Sequence, residues 1–379
     1  MGVSCFDGMA SSTRVRNLFA PLVNKNLIIA NNLVYQTDTK VLTEKSGRLN
    51  DINYKVIGFK LGNVFSIFPF WSSGISFLRQ SKLKGHKNII YNYNYPDLKN
   101  IVILLFGKMM GYKVIFDIIE DNRFEAHVTF INKVRLKTSK ILFGISRWFT
   151  NAYVAISDHL YKRVQEIGKG KVPVYLIPIT VNLNFFPKKD YVPKQDLKIF
   201  YGGSFGAKDG LEYLIGAFEE ISKIDSNIKL LLTGLGNKPD MEKIQEKINR
   251  CAAKDRIIFL GFLSIEDYYA TLNDCDIFCM TRVNSQFANA GFPFKLGEFL
   301  ASGKGVIATR VGDVPNYLNE TNALVISPDS VPELTEALKT FITDPSKISS
   351  LGAAARATAE TYFDSDQVSI KLLSIFESV

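Results

Sequence analysis

Apolar residues recur along this chain in two alternating rhythms, short unbroken runs and longer stretches at helical spacing. The alternation is clearest in the second half. Residues 198–201 read as a strand, 211–224 as a helix, 228–233 as a buried strand and 241–252 as an amphipathic helix. Residues 257–260 read as strand, 264–272 as a helix with Ser264 as N-cap, 277–280 as strand, 294–301 as helix, 305–308 as strand and 331–341 as helix. Short apolar runs alternating with helices predict a parallel sheet with helices on both faces.

The first half repeats the theme less cleanly. Strands are expected at 89–91, 113–118, 152–156 and 174–177, with helices over about 97–110 and 158–167. A further helix starts near Ser11 or Ser12, after so few residues that either the first strand is very short or the chain starts late. The stretch 185–195, with Pro187 and Pro193 and with Pro178 just before it, reads as a linker. The expected organisation is an α/β chain with two doubly wound, Rossmann-like domains, 1–185 and 196–360. A C-terminal helix within 361–379 is expected to pack back on the first domain. Ligands in such folds sit at the carboxyl ends of the strands, here in the cleft the two domains face across.

With 379 residues, 46% hydrophobic and 22% charged, the chain can build two full cores. No apolar run reaches the ~18 residues a membrane span needs; the best, 101–106, is followed by Lys108 and Lys113. Residues 1–6 lack a secretory signal's basic start and apolar run, and Phe6 breaks the myristoylation pattern. Cys5, Cys251, Cys275 and Cys279 show neither metal-site spacing nor a disulfide framework, which fits the cytosol. With only His86, His127 and His159, a zinc centre or a histidine-based triad is not indicated. Charge is unevenly placed. Residues 1–182 carry 25 Lys and Arg against 11 Asp and Glu, and residues 183–379 carry 21 against 26. The basic half suggests an anionic partner, the plain alternative being solvated basic faces, and no nucleic-acid module is present.

Three segments carry candidate chemistry. In Tyr201-Gly202-Gly203-Ser204-Phe205-Gly206-Ala207-Lys208-Asp209-Gly210 a strand ends, a glycine-rich turn follows and a helix begins. Backbone amides, a helix N-terminus and Lys208 can together hold a diphosphate, although a tight turn with a surface lysine has the same pattern. It is neither a Walker loop nor a dinucleotide fingerprint. Thr233-Gly234-Leu235-Gly236 follows one βα unit later, at the same edge of the sheet. The third segment, Asn289-Ala290-Gly291-Phe292-Pro293-Phe294-Lys295-Leu296-Gly297-Glu298, has a Gly-Phe-Pro turn opening a short helix with free amides. Glu298 lies one turn beyond Phe294, where a carboxylate can accept both hydroxyls of a ribose; the plain alternative is an exposed helix residue.

This third block resembles the signature of the retaining glycosyltransferases of family 4, which have the GT-B fold. The Tyr-Gly-Gly-Ser turn, the Leu-Thr-Gly-Leu-Gly segment and Ile258-Phe259-Leu260-Gly261-Phe262 occur in that family's order. The resemblance is high over 197–327 and weaker through Ala155-Ile156-Ser157-Asp158-His159-Leu160 and Leu176-Ile177-Pro178 with Val181-Asn182. It implies a nucleoside-diphosphate sugar as donor, with Glu298 on the ribose and the nucleobase near Gly261 and Phe262. The diphosphate would fall to Gly203, Ser204, Lys208 and Gly234, with the amides of Gly291, Phe292, Phe294 and Lys295. It also implies that the loop from Gly8 to Arg14 is the family's N-terminal glycine loop. Three positions depart from the pattern: Ala290 stands where a first glutamate is usual, Ser204 at an arginine position and Asp209 at the usual lysine position. Where the family often has a His-Asp pair after a strand, this chain has Glu120-Asp121, implying a carboxylate at the reacting carbon. Helix-start acids near a macrodipole are the plain alternative for that pair.

Asp274-Cys275-Asp276 looks like a metal motif of another glycosyltransferase fold but sits at a helix-to-strand junction, and reads as turn chemistry. No metal or cofactor is required by this reading. Residues 133–149, basic and aromatic, with Lys82, Lys84 and Lys87, suit attachment to anionic lipid; the plain alternative is a helix that packs on the sheet. The expected function is retaining sugar transfer to a glycan or lipid-linked acceptor in surface polysaccharide biosynthesis, in the cytoplasm at the inner face of the membrane, with no nucleic-acid partner. A non-catalytic nucleotide-sugar-binding subunit and a GT-B epimerase are the rival expectations.

Overall fold

The structure is a computed structural model and describes residues 1, 10–37, 46–49, 52–59, 64–121, 123–124, 130–192, 194 and 196–379. It divides into two compact units, Met1–Pro178 with Ser365–Val379, and Ile179–Asp364.

The first unit opens with α1 (Ala10–Asn24). A three-stranded sheet follows, made of β1 (Asn31–Thr37), β2 (Ser46–Leu49) and β3 (Ile52–Phe59) in the order β1-β3-β2, and then α2 (Ile67–Ser81). Strands β4 (Ile89–Tyr93), β5 (Lys113–Ile118), β6 (Ala152–Ala155) and β7 (Val174–Leu176) form a parallel sheet in chain order. They are joined by α3 (Ile101–Met109), α4 (Phe130–Ile145) and α5 (Asp158–Gly168). Ser157 caps α5 by accepting from the amide of Leu160 at 3.3 Å.

The second unit runs β8 (Lys198–Gly203), α6 (Leu211–Ile221), β9 (Lys229–Gly234), α7 (Lys238–Arg250), β10 (Ile257–Gly261), α8 (Ile265–Asp274) and β11 (Ile277–Met280). It continues through α9 (Gln286–Ala290), α10 (Phe294–Ala301), β12 (Gly305–Thr309), α11 (Val314–Tyr317), β13 (Leu324–Ile326), α12 (Val331–Thr343) and α13 (Ser346–Tyr362). The last helix, α14 (Ser365–Ser378), belongs to the first unit. The six strands pair in the order β10-β9-β8-β11-β12-β13, all parallel. In α6, Leu211, Leu214, Ile215, Phe218 and Ile221 recur at helical spacing and are all buried. Each of these large side chains contributes about 2 kcal/mol by leaving water, which is why the apolar period was readable here. Asn237, Ser264 and Ser330 cap α7, α8 and α12.

Two features depart from expectation. Among the described residues of 31–81 there are three strands and an α-helix, yet β1 (Asn-Asn-Leu-Val-Tyr-Gln-Thr) has too little alternation to announce itself. The proline-bearing stretch begins inside the second unit instead of joining two units. Phe185 stacks on Tyr269 with ring centroids 4.0 Å apart, and Arg356 of α13 donates to the carbonyl of Phe186 at 2.7 Å.

Candidate functional site

The strand order of the second sheet reverses between β8 and β11, so the crevice outside their carboxyl ends is a topological switch point. Register brings the glycine turns together there: Gly203 of β8 pairs with Gly234 of β9, and Thr233 with Gly261 of β10. A Cβ added to Gly234, whose φ is +130°, would lie 1.8 Å from the Gly203 carbonyl oxygen. Only glycine permits that approach. Thr233 Oγ1 donates to the Gly261 carbonyl at 2.7 Å, tying the third turn to the second.

After β8 the backbone turns through Phe205, a buried non-glycine residue at φ +51°, into a short 3₁₀ turn that ends at Gly210. Left-handed backbone at a bulky residue stores strain and is commonest where function needs it. The far wall comes from the segment after β11. Thr281 Oγ1 donates to the Asp209 carbonyl at 2.9 Å, and the Val283 amide donates to the Lys208 carbonyl at 3.0 Å. The Lys208 ammonium sits 4.6 Å from the ring centroid of Phe287 in α9. Ser204 Oγ donates to Asp209, whose carboxylate also has Arg282 Nε at 4.0 Å. Asp209 stands at the expected lysine position, and the basic group beside it, Arg282, comes from a different strand end. Sequence order alone did not single out Arg282; an arginine two residues past a buried strand was the available signal.

Glu298 is buried in α10, one turn from its start. Tyr268 donates to its Oε2 at 2.7 Å and Tyr269 to its Oε1 at 3.2 Å, both from α8. Lys295 Nζ lies 3.7 Å from Oε2 and 3.9 Å from the Tyr268 ring centroid. Burial, then the Glu298 charge, pushes the Tyr268 hydroxyl well above the usual phenol range, so it stays a donor. The plain alternative, an exposed helix residue, therefore does not describe Glu298. Phe294 opens α10 with Pro293 as a cap that supplies no side-chain bond, which leaves first-turn amides for a ligand. Phe292 is buried against Tyr317 and Phe363, so its side chain belongs to the core and only its backbone can serve a donor. Ala290 is fully buried. Gly291 and Lys295 are partly exposed beside it, and Phe262, just past β10, is largely exposed.

In the first unit, the two carboxylates after β5 have different surroundings. Asp121 is buried and accepts from Arg123, from Arg163 and, at 3.1 Å, from His159. Burial raises its pKa, but the hydrogen bonds from Arg123 and the charge of Arg163 outweigh that and hold the carboxyl down at about 2. Glu120 is exposed, with its backbone carbonyl held by Tyr95 Oη at 2.7 Å. Asp121 thus organises the loop and Glu120 presents the open carboxylate. At the next-to-last position of β5, Asp117 forms a fully buried bidentate pair with Arg14 of α1, at 2.7 and 2.9 Å. Gly8 lies outside the described residues. Asp274 and Asp276 sit at the opposite end of the sheet from the glycine turns. There Asp276 accepts from the Lys198 amide at 2.9 Å and pairs with Lys194 at 3.0 Å.

Compared with known proteins, residues 184–358 match the family model of the glycosyl transferases group 1. A GDP-mannose-dependent monoacylated alpha-(1-6)-phosphatidylinositol monomannoside mannosyltransferase of Corynebacterium glutamicum is 28% identical over 176 residues, 45% of this chain and 44% of that protein. A putative colanic acid biosynthesis glycosyltransferase of Escherichia coli, WcaL, is 22% identical over 228 residues, 59% of this chain and 56% of that protein. The chain thus spans about half the length of the curated relatives it matches. Among solved structures, Anabaena HepE with UDP and glucose superposes with a TM-score of 0.75 at 16% identity, over 100% of this chain and 98% of that one. Sucrose-phosphate synthase of Thermosynechococcus elongatus does so with a TM-score of 0.74 at 15% identity, over 100% and 95%. The fold is GT-B, two Rossmann-like domains.

Proposed function

We propose that this protein is a retaining glycosyltransferase that moves a sugar from a nucleoside-diphosphate sugar to a glycan or lipid-linked acceptor of a surface polysaccharide. The buried, tyrosine-clamped carboxylate of Glu298, on the unit whose three glycine turns line one sheet edge, carries this reading. Its relatives point the same way: one is named for colanic acid biosynthesis and another for a phosphatidylinositol mannoside acceptor.

In this reading Glu298 accepts the ribose hydroxyls and Phe262 meets the base. As the bond from the sugar's anomeric carbon to the diphosphate oxygen breaks, negative charge collects on the diphosphate. Lys208, Ser204 and the amides of the Gly203–Gly206 turn and of α10 stabilise it. Glu120 supports the positive charge developing on the sugar. The acceptor oxygen bonds to the anomeric carbon on the face the diphosphate leaves, and its proton passes to the departing phosphate oxygen, the base nearest the new bond. The protein acts in the cytoplasm, attached peripherally to the anionic inner face of the membrane.

The buried Ala290, where the resemblance calls for a carboxylate, favours a second reading as a nucleotide-sugar-binding subunit without turnover. A panel of nucleotide sugars separates the two. Transfer or slow hydrolysis of one donor supports the enzyme, whereas tight binding with no turnover for any donor supports the subunit.

A further inference from the structure

Right-handed crossovers from β4 to β7 place α3, α4 and α5 on one face of their sheet. The other face is covered by α1 and α14 through Leu18, Leu22, Leu372 and Phe376. Helix α2 joins the first layer. Trp71 Nε1 donates to the Lys99 carbonyl at 2.9 Å, and Gly74 packs directly on Ile103. Helix α4 flanks α3 on the other side, with Ser139 Oγ donating to the Pro96 carbonyl at 2.9 Å and Lys108 Nζ to the Phe149 carbonyl at 3.0 Å.

Helices of a surface layer bury one apolar stripe and show a polar one. These show a second apolar stripe. In α4, Leu136 and Phe143 face inward, while Val134, Ile141 and Ile145 face solvent. In α3, Ile103 and Leu104 face inward, while Leu105 and Met109 face out, Met109 being 80% exposed. Phe65 and Phe68 lie outward at the start of α2, and Trp148 just after α4 is 70% exposed, with the Arg147 guanidinium 4.9 Å from its ring centroid.

The charge is one-sided too. Helices α2, α3 and α4 contain no Asp or Glu, and α4 alone carries Lys133, Arg135, Lys137 and Lys140. The next helix of the layer, α5, mixes Asp158 and Glu166 with Lys162 and Arg163. The exposed apolar set of α3 and α4 (Leu105, Met109, Val134, Ile141 and Ile145) has no ring to stack on a nucleic-acid base, and Phe68 and Trp148 already have Trp71 and Arg147 against them. Apolar side chains ringed by cations without acids match an acyl boundary beneath anionic headgroups. We infer that the outer side of the α2–α3–α4 layer docks on an anionic lipid bilayer. The inference rests on the peripheral attachment proposed above and names the face that makes it.

The test is co-sedimentation of the full chain with vesicles of phosphatidylcholine, alone and mixed with phosphatidylglycerol. Wild type is expected on the mixed vesicles only, and less at high salt. The exposed set Met109→Ser, Ile145→Ser and Trp148→Ser is expected to release it. The set Lys133→Gln, Lys137→Gln and Lys140→Gln is expected to weaken binding roughly fivefold per cation. Ile370→Ser with Lys371→Gln, on the exposed side of α14, is expected to change nothing. If both helix-layer sets bind as wild type does, the face is overturned and the attachment stands. If wild type ignores both vesicles, the attachment falls and the face with it. Dimerisation through these side chains, or binding to nucleic acid in place of vesicles, also overturns the proposal. All replaced side chains are exposed, so unchanged thermal melts keep the comparison between folded proteins.

Discussion

The Tyr268 hydroxyl donates to Glu298 Oε2 at 2.7 Å, joining two helices whose partner residues are 30 positions apart. With Tyr269 on Oε1, each carboxylate oxygen accepts one phenol hydroxyl, fewer than its two lone pairs can take. The clamp therefore orients the carboxylate without filling it. Glu298→Gln is expected to weaken nucleoside-diphosphate binding by about 2 kcal/mol, or about 30-fold, by calorimetry. It should also erase any preference for ribose over 2′-deoxyribose nucleotides. Tyr268→Phe is expected to cost about 1 kcal/mol in the same measurement. Unchanged affinity in the Gln variant would remove the ribose assignment.

The glycine turns make a steric prediction. In Gly234→Ala the new methyl would meet the Gly203 carbonyl oxygen at 1.8 Å, in a backbone conformation that L-residues rarely adopt. The turn must move, so a stability loss of about 2 kcal/mol or more is expected in urea unfolding, with loss of diphosphate affinity. Gly210→Ala, 2.0 Å from the Thr281 carbonyl oxygen, should behave alike. A variant with wild-type melting and binding would show that these turns are not held as described.

In the first unit, Arg14 and Asp117 are both fully buried, and Arg14 also donates to the carbonyls of Pro178 and Ile177. Burial by itself would lower the guanidinium pKa, but the Asp117 charge raises it above its ordinary value, so the guanidinium stays charged. Arg14→Leu leaves a buried carboxylate without its partner and is expected to cost about 4 kcal/mol. Arg14→Leu combined with Asp117→Leu is expected to recover most of that. A double variant no more stable than the single would show that the carbonyl bonds, and not the charge pair, dominate.

Asp121 sets an acid limit. Its folded pKa, about 2, lies below its ordinary value of 3.8, so its stabilisation is complete above pH ~4 and lost as pH falls through about 2. Asp121→Asn removes this and leaves Arg163 poorly paired, at a cost of about 3 kcal/mol near neutral pH. Glu120→Gln, at an exposed position, is expected to leave stability unchanged and to lower transfer, as measured by sugar turnover. Equal melting of the Asp121→Asn variant and wild type would contradict the account of the cluster.

Much of the second unit was legible because its signals are local. The apolar period of 211–221, the serine cap before 265 and the Gly-Phe-Pro turn before Phe294 each act within a few residues. The helix expected at 294–301 is observed as α10, Phe294–Ala301. Glu298 could be picked out for the same reason, since its place one turn into a helix follows from that turn. Strands β1 and β2 were not legible, because Asn-Asn-Leu-Val-Tyr-Gln-Thr and Ser-Gly-Arg-Leu lack the alternation that marks a half-buried strand, whereas Ile-Asn-Tyr-Lys-Val of β3 has it and went unread.

Tertiary packing alone decided which partners the candidate residues have. Glu120 and Asp121 are neighbours in sequence, yet Arg163 and His159, some forty positions on, sequester one and leave the other open. Arg14 meets Asp117 across 103 positions, and a tyrosine pair no motif marked holds Glu298. Periodicity and turn chemistry depend on a short window of chain. The charge, burial and orientation of a carboxylate depend on whatever distant side chains the folded backbone brings within hydrogen-bonding distance.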